Sequence, residues 1–134
     1  MATFADITLA DGLATPVTHT FKSKTCTGRV AVWEDRVSGI PVGYNKLSVE
    51  TKDNDLVRRV RFSLALPTLE AVAGANDRGF TPAATVAYIH RFNGEFLLPQ
   101  RGVAPNRKDL LAYVKNALSN AVLAAIITDG DEIN

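Results

Sequence analysis

A basic strand is the first stretch of this sequence that could do chemistry. Residues 56–67, LVRRVRFSLALP, place three arginines in a run that otherwise has the pattern of a β-strand. Because successive strand side chains point to opposite faces, Arg59, Arg61 and Ser63 share one face of this strand. The other face is apolar and carries Val60, Phe62, Leu64 and Leu66. Such a cationic face either contacts a polyanion or is merely solvated, and the neighbouring strands have to decide between these interpretations.

Two further strands are expected to add polar side chains to the same face. Residues 44–52 alternate cleanly, and the tight turn at 53–55 joins them to the basic strand, so the two strands should pair as a hairpin. The polar positions of this strand are Lys46, Ser48, Glu50 and Lys52. The long strand at 83–99 adds Arg91, Asn93 and Glu95. A slip of one residue in the register of 44–52 would replace Ser48 by Leu47 or Val49 on this face.

A sheet face of this composition suits RNA. Lysine and arginine contact phosphates, whereas serine, asparagine and glutamate can form hydrogen bonds with exposed base edges. Glu95 can accept a hydrogen bond from a base amino group or orient a neighbouring arginine, and an ion pair without any role in RNA binding is the alternative interpretation.

Composition restricts the classes of function. The 134 residues fit a single domain, 1–134, and the formal net charge of +1 excludes a global basic field, so that any polyanion site must be a local patch. The one cysteine, Cys26, allows no internal disulfide and no cysteine-based metal site, and no cofactor is predicted. The N-terminus lacks the pattern of a signal peptide, and no stretch reaches the ~18 apolar residues of a membrane span.

The order of the elements predicts the α+β class, because strands come first and helices last without alternation. We expect five or six antiparallel strands, namely a hairpin around Asp11–Gly12, a short strand at 29–35 and the three strands described above. Residues 23–28 and 68–82 are expected to be loops. Pro67 is expected to end the basic strand.

The C-terminal part changes to a helical period. After Pro105, apolar residues recur at i, i+3 and i+4, and Asn106 is expected to be the N-cap of the first helix. Ser119 and Asn120 interrupt the apolar stripe and are expected to divide two helices, and Gly130 is expected to end the second. The stripe must be buried somewhere, and the apolar face of the sheet is the natural place.

Several segments, taken in order, resemble the coat proteins of the small single-stranded RNA bacteriophages, the leviviruses. VAVWEDRVSG resembles an early strand of that family, and YNKLSVETK with RRVRFSLALP resembles its central RNA-facing hairpin. GFTPAATVAYIHRFNGEFLLP resembles its last loop and strand, including the spacing Asn93-x-Glu95-x-x-x-Pro99. DLLAYVKNALSNAVLAAII resembles its two terminal helices. No single motif is diagnostic, and the specificity comes from several matches in order over nearly the whole chain.

The resemblance implies an N-terminal β-hairpin, a five-stranded antiparallel sheet and two C-terminal helices, in an intertwined dimer with a continuous ten-stranded sheet. It implies a structural capsid protein of the virion, assembled in the cytoplasm of the bacterial host. Dimers would build an icosahedral shell, bind hairpins of the phage genomic RNA on the inner sheet face and repress translation. A maturation protein is compatible as a further partner, no membrane is involved, and the 68–82 loop would meet its copies around the symmetry axes.

The resemblance also implies a set of RNA-binding residues, matched by position. They are Val30, Lys46, Ser48, Glu50, Lys52, Arg59, Arg61, Ser63, Arg91, Asn93 and Glu95. Val30 matches an apolar position that lines a base pocket in some members. Two positions depart from the family pattern, because Arg91 stands where some members have a stacking tyrosine and Glu50 where a small polar residue is common.

Two other classes of protein fit the pattern of elements. A curved sheet with helices can form the pocket of a small cone-shaped enzyme, but the two histidines and one cysteine form no recognisable triad or metal motif. His19 and His90 are therefore expected to be surface or packing residues. A non-viral RNA-binding homodimer would share the basic face without building a shell, and imaging of the purified protein separates these classes.

Overall fold

A computed structural model describes residues 2–70, 83–130 and 132–133 of the chain. Six strands come first: β1 (Ile7–Ala10), β2 (Thr18–Thr27), β3 (Val30–Asp35), β4 (Asn45–Asp53), β5 (Val57–Leu69) and β6 (Val86–Pro99). A short 3₁₀ turn at Pro41–Gly43 precedes β4. Two helices follow the strands, α1 (Ala104–Leu118) and α2 (Ala121–Thr128). The predicted α+β order of an antiparallel sheet followed by two helices is confirmed.

The six strands form one sheet in chain order, β1-β2-β3-β4-β5-β6. The predicted N-terminal hairpin exists, because β1 pairs with β2 from Ile7 opposite Phe21 to Ala10 opposite Thr18. β2 then continues to Thr27 and pairs with β3, so the hairpin and the sheet share this strand. The prediction of a loop at 23–28 was therefore wrong for residues 23–27. A β-bulge between Ser23 and Thr25 shifts the register of β2 against β3 by one residue, and the regular alternation of a strand is interrupted there.

A small core lies on one face of the sheet. Trp33 and Leu47 are directly opposed on β3 and β4, and both are buried, as is Phe21 on β2. Partly buried apolar residues surround them, namely Ile7, Ala31, Val49, Phe62 and Leu64. The indole of Trp33 donates a hydrogen bond to the carbonyl oxygen of Ala5 at 2.8 Å, which ties the segment before β1 to this core.

β5 runs through Pro67, so the prediction that this proline ends the strand was wrong. Proline lacks an N–H and is excluded where a neighbouring strand needs that donor. The pairing of β5 with β4 reaches only Ala65, opposite Lys46, so the missing donor of Pro67 removes no bond to β4. Of the predicted 68–82 loop, residues 68–69 belong to β5. Residues 71–82, with the proposed contacts around symmetry axes, lie outside the described residues.

The C-terminal unit comprises residues 55–57 and 98–134 and is described by itself. Asn106 is not the N-cap of α1, which begins at Ala104 after Val103. Pro105 stands in the first turn, where its fixed φ suits a helix and its missing N–H costs no bond, so the helix begins before it. Asn120 separates the two helices as predicted, and its side chain accepts from the Val122 amide at 3.0 Å. Gly130 has a φ of 71° just after α2, as expected of a helix stop.

No side chain of α1 or α2 is fully buried. Tyr113 on α1 is 73% exposed and Ile127 on α2 is 67% exposed, although both belong to a largely apolar stretch. Among the described residues, neither helix alone has the length and apolar content needed to cross a bilayer, whereas the two together meet both criteria as a pair bent by 59°.

Candidate functional site

The polar face of the sheet is built by the register of β3, β4 and β5. Ser48 lies opposite Ser63, Glu50 opposite Arg61, and Lys52 opposite Arg59. The register of β4 is thus the predicted one, with Ser48 rather than Leu47 or Val49 on this face. Because Val30 lies opposite Glu50, it belongs to the same face, and its side chain is half-exposed.

β6 contributes the remaining predicted residues through direct contacts with β5. Ser63 Oγ donates to Asn93 Oδ1 at 2.8 Å, which places Asn93 beside the Ser48–Ser63 pair. Arg91 lies two residues before Asn93 and is exposed on the same face. Strand alternation and register therefore bring all eleven predicted residues onto one surface of the sheet.

Two arginines meet a carboxylate at one end of this surface. Glu95 Oε1 lies 2.7 Å from Arg59 Nε and 3.7 Å from Arg61 Nε. Glu50, Lys52, Arg59 and Arg61 line a depression beside this contact. We name the group of Glu50, Lys52, Arg59, Arg61 and Glu95 the Arg59 cluster. Because both arginines face Glu95 through Nε, Arg59 at hydrogen-bond distance and Arg61 at ion-pair distance, their terminal Nη groups are the parts that can reach a phosphate.

A second charged group lies at the opposite end of the surface, and of its four residues only Lys46 was predicted from the sequence. Glu34 lies opposite Lys46 across β3 and β4. Its carboxylate is 2.6 Å from Lys24 Nζ and 3.6 Å from Arg36 Nε, and only 6% of its side chain is exposed. We name Lys24, Glu34, Arg36 and Lys46 the Glu34 cluster. The alternation of Lys22 and Lys24 with the apolar Phe21 was the sequence signal that could have extended β2 to Lys24.

The Glu34 carboxylate is held ionised by its neighbours. The hydrogen bond from Lys24 is the main cause that lowers the pKa of Glu34 below its usual value, and the charges of Lys24, Arg36 and Lys46 add to this effect against the cost of burial. A buried carboxylate requires such partners, because an unpaired charge away from water is costly. Glu34 is therefore an anion around which three cations collect.

His19 is neither a plain surface residue nor a packing residue. Its ring bridges two carboxylates, with Nδ1 at 2.9 Å from Asp35 Oδ2 and Nε2 at 3.0 Å from Asp11 Oδ2. Asn45 also donates to Asp35 Oδ2, at 3.2 Å. This group lies on the core side of the sheet, since Asp35 shares the alternation of Trp33. His90 is exposed, which agrees with the expectation of a surface residue, and its ring meets that of Tyr88 edge-on at 5.3 Å.

Other groups with potential chemistry are few among residues 2–70, 83–130 and 132–133. No set of three or more His, Cys, Asp and Glu side chains in this part of the chain has an arrangement that could hold a metal ion. Cys26 is a free, exposed thiol near the end of β2.

Comparisons with known proteins agree with this architecture. The profile described as levivirus coat protein matches residues 2–133. The chain is similar to the virus-like particle of bacteriophage ESE058, with 33% identity, a TM-score of 0.89 and coverage of 99% of this chain and 100% of that one. It is also similar to the virus-like particle of bacteriophage NT-214, with 30% identity, a TM-score of 0.87 and coverage of 99% and 100%.

A more distant structure shares the fold alone. The protein capsid of bacteriophage GA is 14% identical, with a TM-score of 0.75 and coverage of 96% of both chains. No curated protein matches the sequence. The family is one of structural coat proteins rather than of enzymes, which agrees with a polar surface that lies on an open sheet face. The chain belongs to the levivirus coat protein family and is a structural protein of the virion capsid.

Proposed function

We propose that the polar face of the sheet binds hairpins of the phage genomic RNA inside the shell. The observation that carries this proposal is the register that sets Ser48, Ser63 and Asn93 side by side between two cationic clusters. Neutral hydrogen-bonding groups can read base edges, while cations on either side hold the backbone. A merely solvated face would have no need for this separation of neutral and charged residues.

Each predicted residue has a role in this arrangement. Lys46, Lys52, Arg59, Arg61 and Arg91 contact phosphates, and Ser48, Ser63 and Asn93 contact bases or sugars. Val30 provides an apolar wall beside Glu50 for an unstacked base. Glu95 orients Arg59 and Arg61, and Glu50 lies opposite Arg61 and limits the net charge of the Arg59 cluster.

We propose further that the binding unit is an intertwined dimer. The sheet face around Phe62 continues onto β6, where Phe92 packs edge-on against Phe62 and yet remains 44% exposed. Tyr88 on the same strand is 56% exposed, and apolar side chains of the helices, such as Leu111 on α1 and Val122 on α2, are exposed. Helices of a partner subunit laid on this face would remove both apolar surfaces from water, and pairing of two β6 edges would continue the sheet.

Expression of the chain alone tests the proposal. Purified protein is imaged by electron microscopy, and any RNA that remains in the particles is sequenced. We expect uniform spherical particles that hold RNA enriched in one class of hairpin. Particles whose RNA matches the composition of the total host RNA would contradict hairpin recognition, because contacts with phosphates alone do not select sequence.

Translational repression rests on the same binding event. A reporter whose start codon lies within the enriched hairpin is expressed together with the coat protein. We expect reduced reporter synthesis with the wild-type chain, and no reduction with a hairpin whose loop bases are replaced. Equal expression from both reporters would remove repression from the proposed function.

A further inference from the structure

The positive charge of the polar face is divided unevenly between its two ends. Among the described residues of the Arg59 cluster, three cations stand against two carboxylates, which leaves a net charge of +1. The Glu34 cluster holds three cations around one carboxylate. Arg91 adds a further cation at the same end, because β6 runs antiparallel to β5 and Asn93 is level with Ser63. The net charge at this end is +3, since Lys22 there is paired with Asp6 at 3.1 Å.

This end of the polar face carries more cations than are needed to neutralise the Glu34 carboxylate. One carboxylate balances the charge of one cation, and Lys24 makes the closest contact with Glu34, at 2.6 Å. Arg36 is farther away, at 3.6 Å, and its side chain is 51% exposed. Lys46 and Arg91 are also exposed. Cations in excess of their partners, gathered at one place on a surface, are the electrostatic signature of a phosphate-binding site.

We infer that Lys24 and Arg36 join Lys46 and Arg91 in a second phosphate-binding subsite for the RNA backbone, at the end of the polar face opposite the Arg59 cluster. This inference rests on the proposed function and extends its footprint to β2 and to the end of β3. The buried Glu34 positions Lys24 and Arg36 and does not itself contact RNA. The neutral strip of Ser48, Ser63 and Asn93 lies between the two subsites.

The spacing makes the two subsites independent. Lys46 and Lys52 are six residues apart on β4, and a strand rises about 3.3 Å per residue, so the two ends are roughly 20 Å apart. The screening length is about 10 Å at 0.1 M salt. Each subsite therefore binds its own phosphates and contributes its own share to the salt dependence of binding.

The salt dependence of RNA binding by the purified full-length chain tests the inference. The probe is an oligouridylate, which has no hairpin to recognise and reports phosphate contacts. Affinity is measured over a range of salt concentrations for the wild type and for two double variants, Lys24→Gln with Arg36→Gln and Arg59→Gln with Arg61→Gln. Lys108→Gln with Lys115→Gln on α1 is the matched control, because it also removes two cations and both lie outside the sheet. Glutamine keeps an N–H donor for Glu34, and thermal unfolding checks that each variant is folded.

We expect each double variant to reduce the salt slope by about 1.4, since each lost contact to a single strand reduces it by about 0.7. The control should keep the wild-type slope. The second subsite is overturned, and the proposed function stands, if only the Arg59 and Arg61 variant has a reduced salt slope. In that case the Lys24 and Arg36 variant keeps the wild-type slope. If neither double variant changes the slope, both fail.

A variant that should strengthen RNA binding distinguishes the loss of phosphate contacts from a loss of folded structure. Glu34→Gln removes the negative charge and keeps a side-chain oxygen that can accept from Lys24, so we expect severalfold tighter binding of the oligouridylate at low salt. Unchanged or weaker binding by folded Glu34→Gln would overturn the inference, because a phosphate subsite must respond to the charge at its centre.

Discussion

His19 Nδ1 lies 2.9 Å from Oδ2 of Asp35, whose side chain is only 2% exposed. The other ring nitrogen lies 3.0 Å from Asp11, so both nitrogens face carboxylate oxygens. Carboxylates only accept hydrogen bonds, and a histidine donates from both nitrogens only when it is an imidazolium. Asp11 also accepts from the backbone amides of Leu13 and Val17. When the ring is protonated, it ties the turn between β1 and β2 to the buried end of β3 through both nitrogens.

This bridge predicts a dependence of stability on pH. The hydrogen bond to Asp11, followed by that to Asp35, raises the pKa of His19 above its usual 6.5. A raised folded-state pKa gives stability that is complete below about pH 6.5 and is lost as the pH rises through the folded value. The pKa of Asp11 is lowered below 3.8, chiefly by the Val17 amide, so its contribution is lost only as the pH falls below that range. The bridge is strongest between about pH 4 and about pH 6.5.

Thermal unfolding as a function of pH measures this effect. The wild type should lose stability more steeply than His19→Gln as the pH rises from about 6.5 to about 9. His90→Gln is the control, because this ring contacts Tyr88 and is not bridged between carboxylates. Parallel profiles for the wild type and His19→Gln would show that the imidazolium bridge does not stabilise the fold.

Leu47→Ala should destabilise the protein by about 2–5 kcal/mol, because Leu47 is 2% exposed between Trp33 and Leu64 and its loss leaves a cavity. Leu13→Ala, at a side chain that is 60% exposed, should change stability by less than about 0.5 kcal/mol. Urea unfolding at one fixed protein concentration measures both. Similar losses in the two variants would contradict the position of the core.

Phe92→Ser should weaken the proposed dimer while leaving the β5–β6 contact of Ser63 with Asn93 intact. The ring is 44% exposed in the chain and is expected to be covered by the partner subunit. Sedimentation measured over a range of concentrations should show dissociation of the variant at concentrations where the wild type is dimeric. Val37→Ser, at a loop side chain that is 75% exposed, is the control. Unchanged association in Phe92→Ser would place the dimer interface elsewhere.

Arg59→Ala and Arg61→Ala should each weaken binding of the RNA hairpin and lower the salt slope by roughly one. Arg59 makes the closer contact with Glu95, 2.7 Å against 3.7 Å, so its guanidinium is the more firmly oriented of the two. Filter binding across a range of salt concentrations measures the slopes, with Lys115→Ala as the control. An unaltered slope in both variants would remove these arginines from the RNA-binding surface.

Asn93→Ala should reduce discrimination between the cognate hairpin and a loop variant by about 1–3 kcal/mol, the range found for bidentate base contacts in DNA. Because Ser63 donates to Asn93 Oδ1 at 2.8 Å, the Nδ2 group of Asn93 is the part that can donate to a base. Ser63→Ala should give a smaller loss, since it frees the amide without removing it. Equal losses on every RNA tested would make Asn93 a positioning contact rather than a reader of bases.

The sequence by itself determined the strands and their faces wherever alternation was regular. In β4 and β5, period-two alternation separates Arg59 and Arg61 from Phe62 and Leu64, and the register confirms this separation. The break at Asn120 was also readable, because a side-chain cap acts over two residues. These features depend on neighbours in the chain, so local pattern is sufficient to predict them.

Only the tertiary structure decided where distant residues meet. The bulge after Ser23, the bridging of Asp11 and Asp35 by His19, and the gathering of Lys24 and Arg36 around Glu34 all join residues of different strands or turns. Pairing across strands sets these contacts, and a bulge shifts every residue that follows it relative to the neighbouring strand. Charge counted along the chain could therefore find Arg59 and Arg61 within one strand, but not the Glu34 cluster, whose members come together only when β2, β3 and β4 pair.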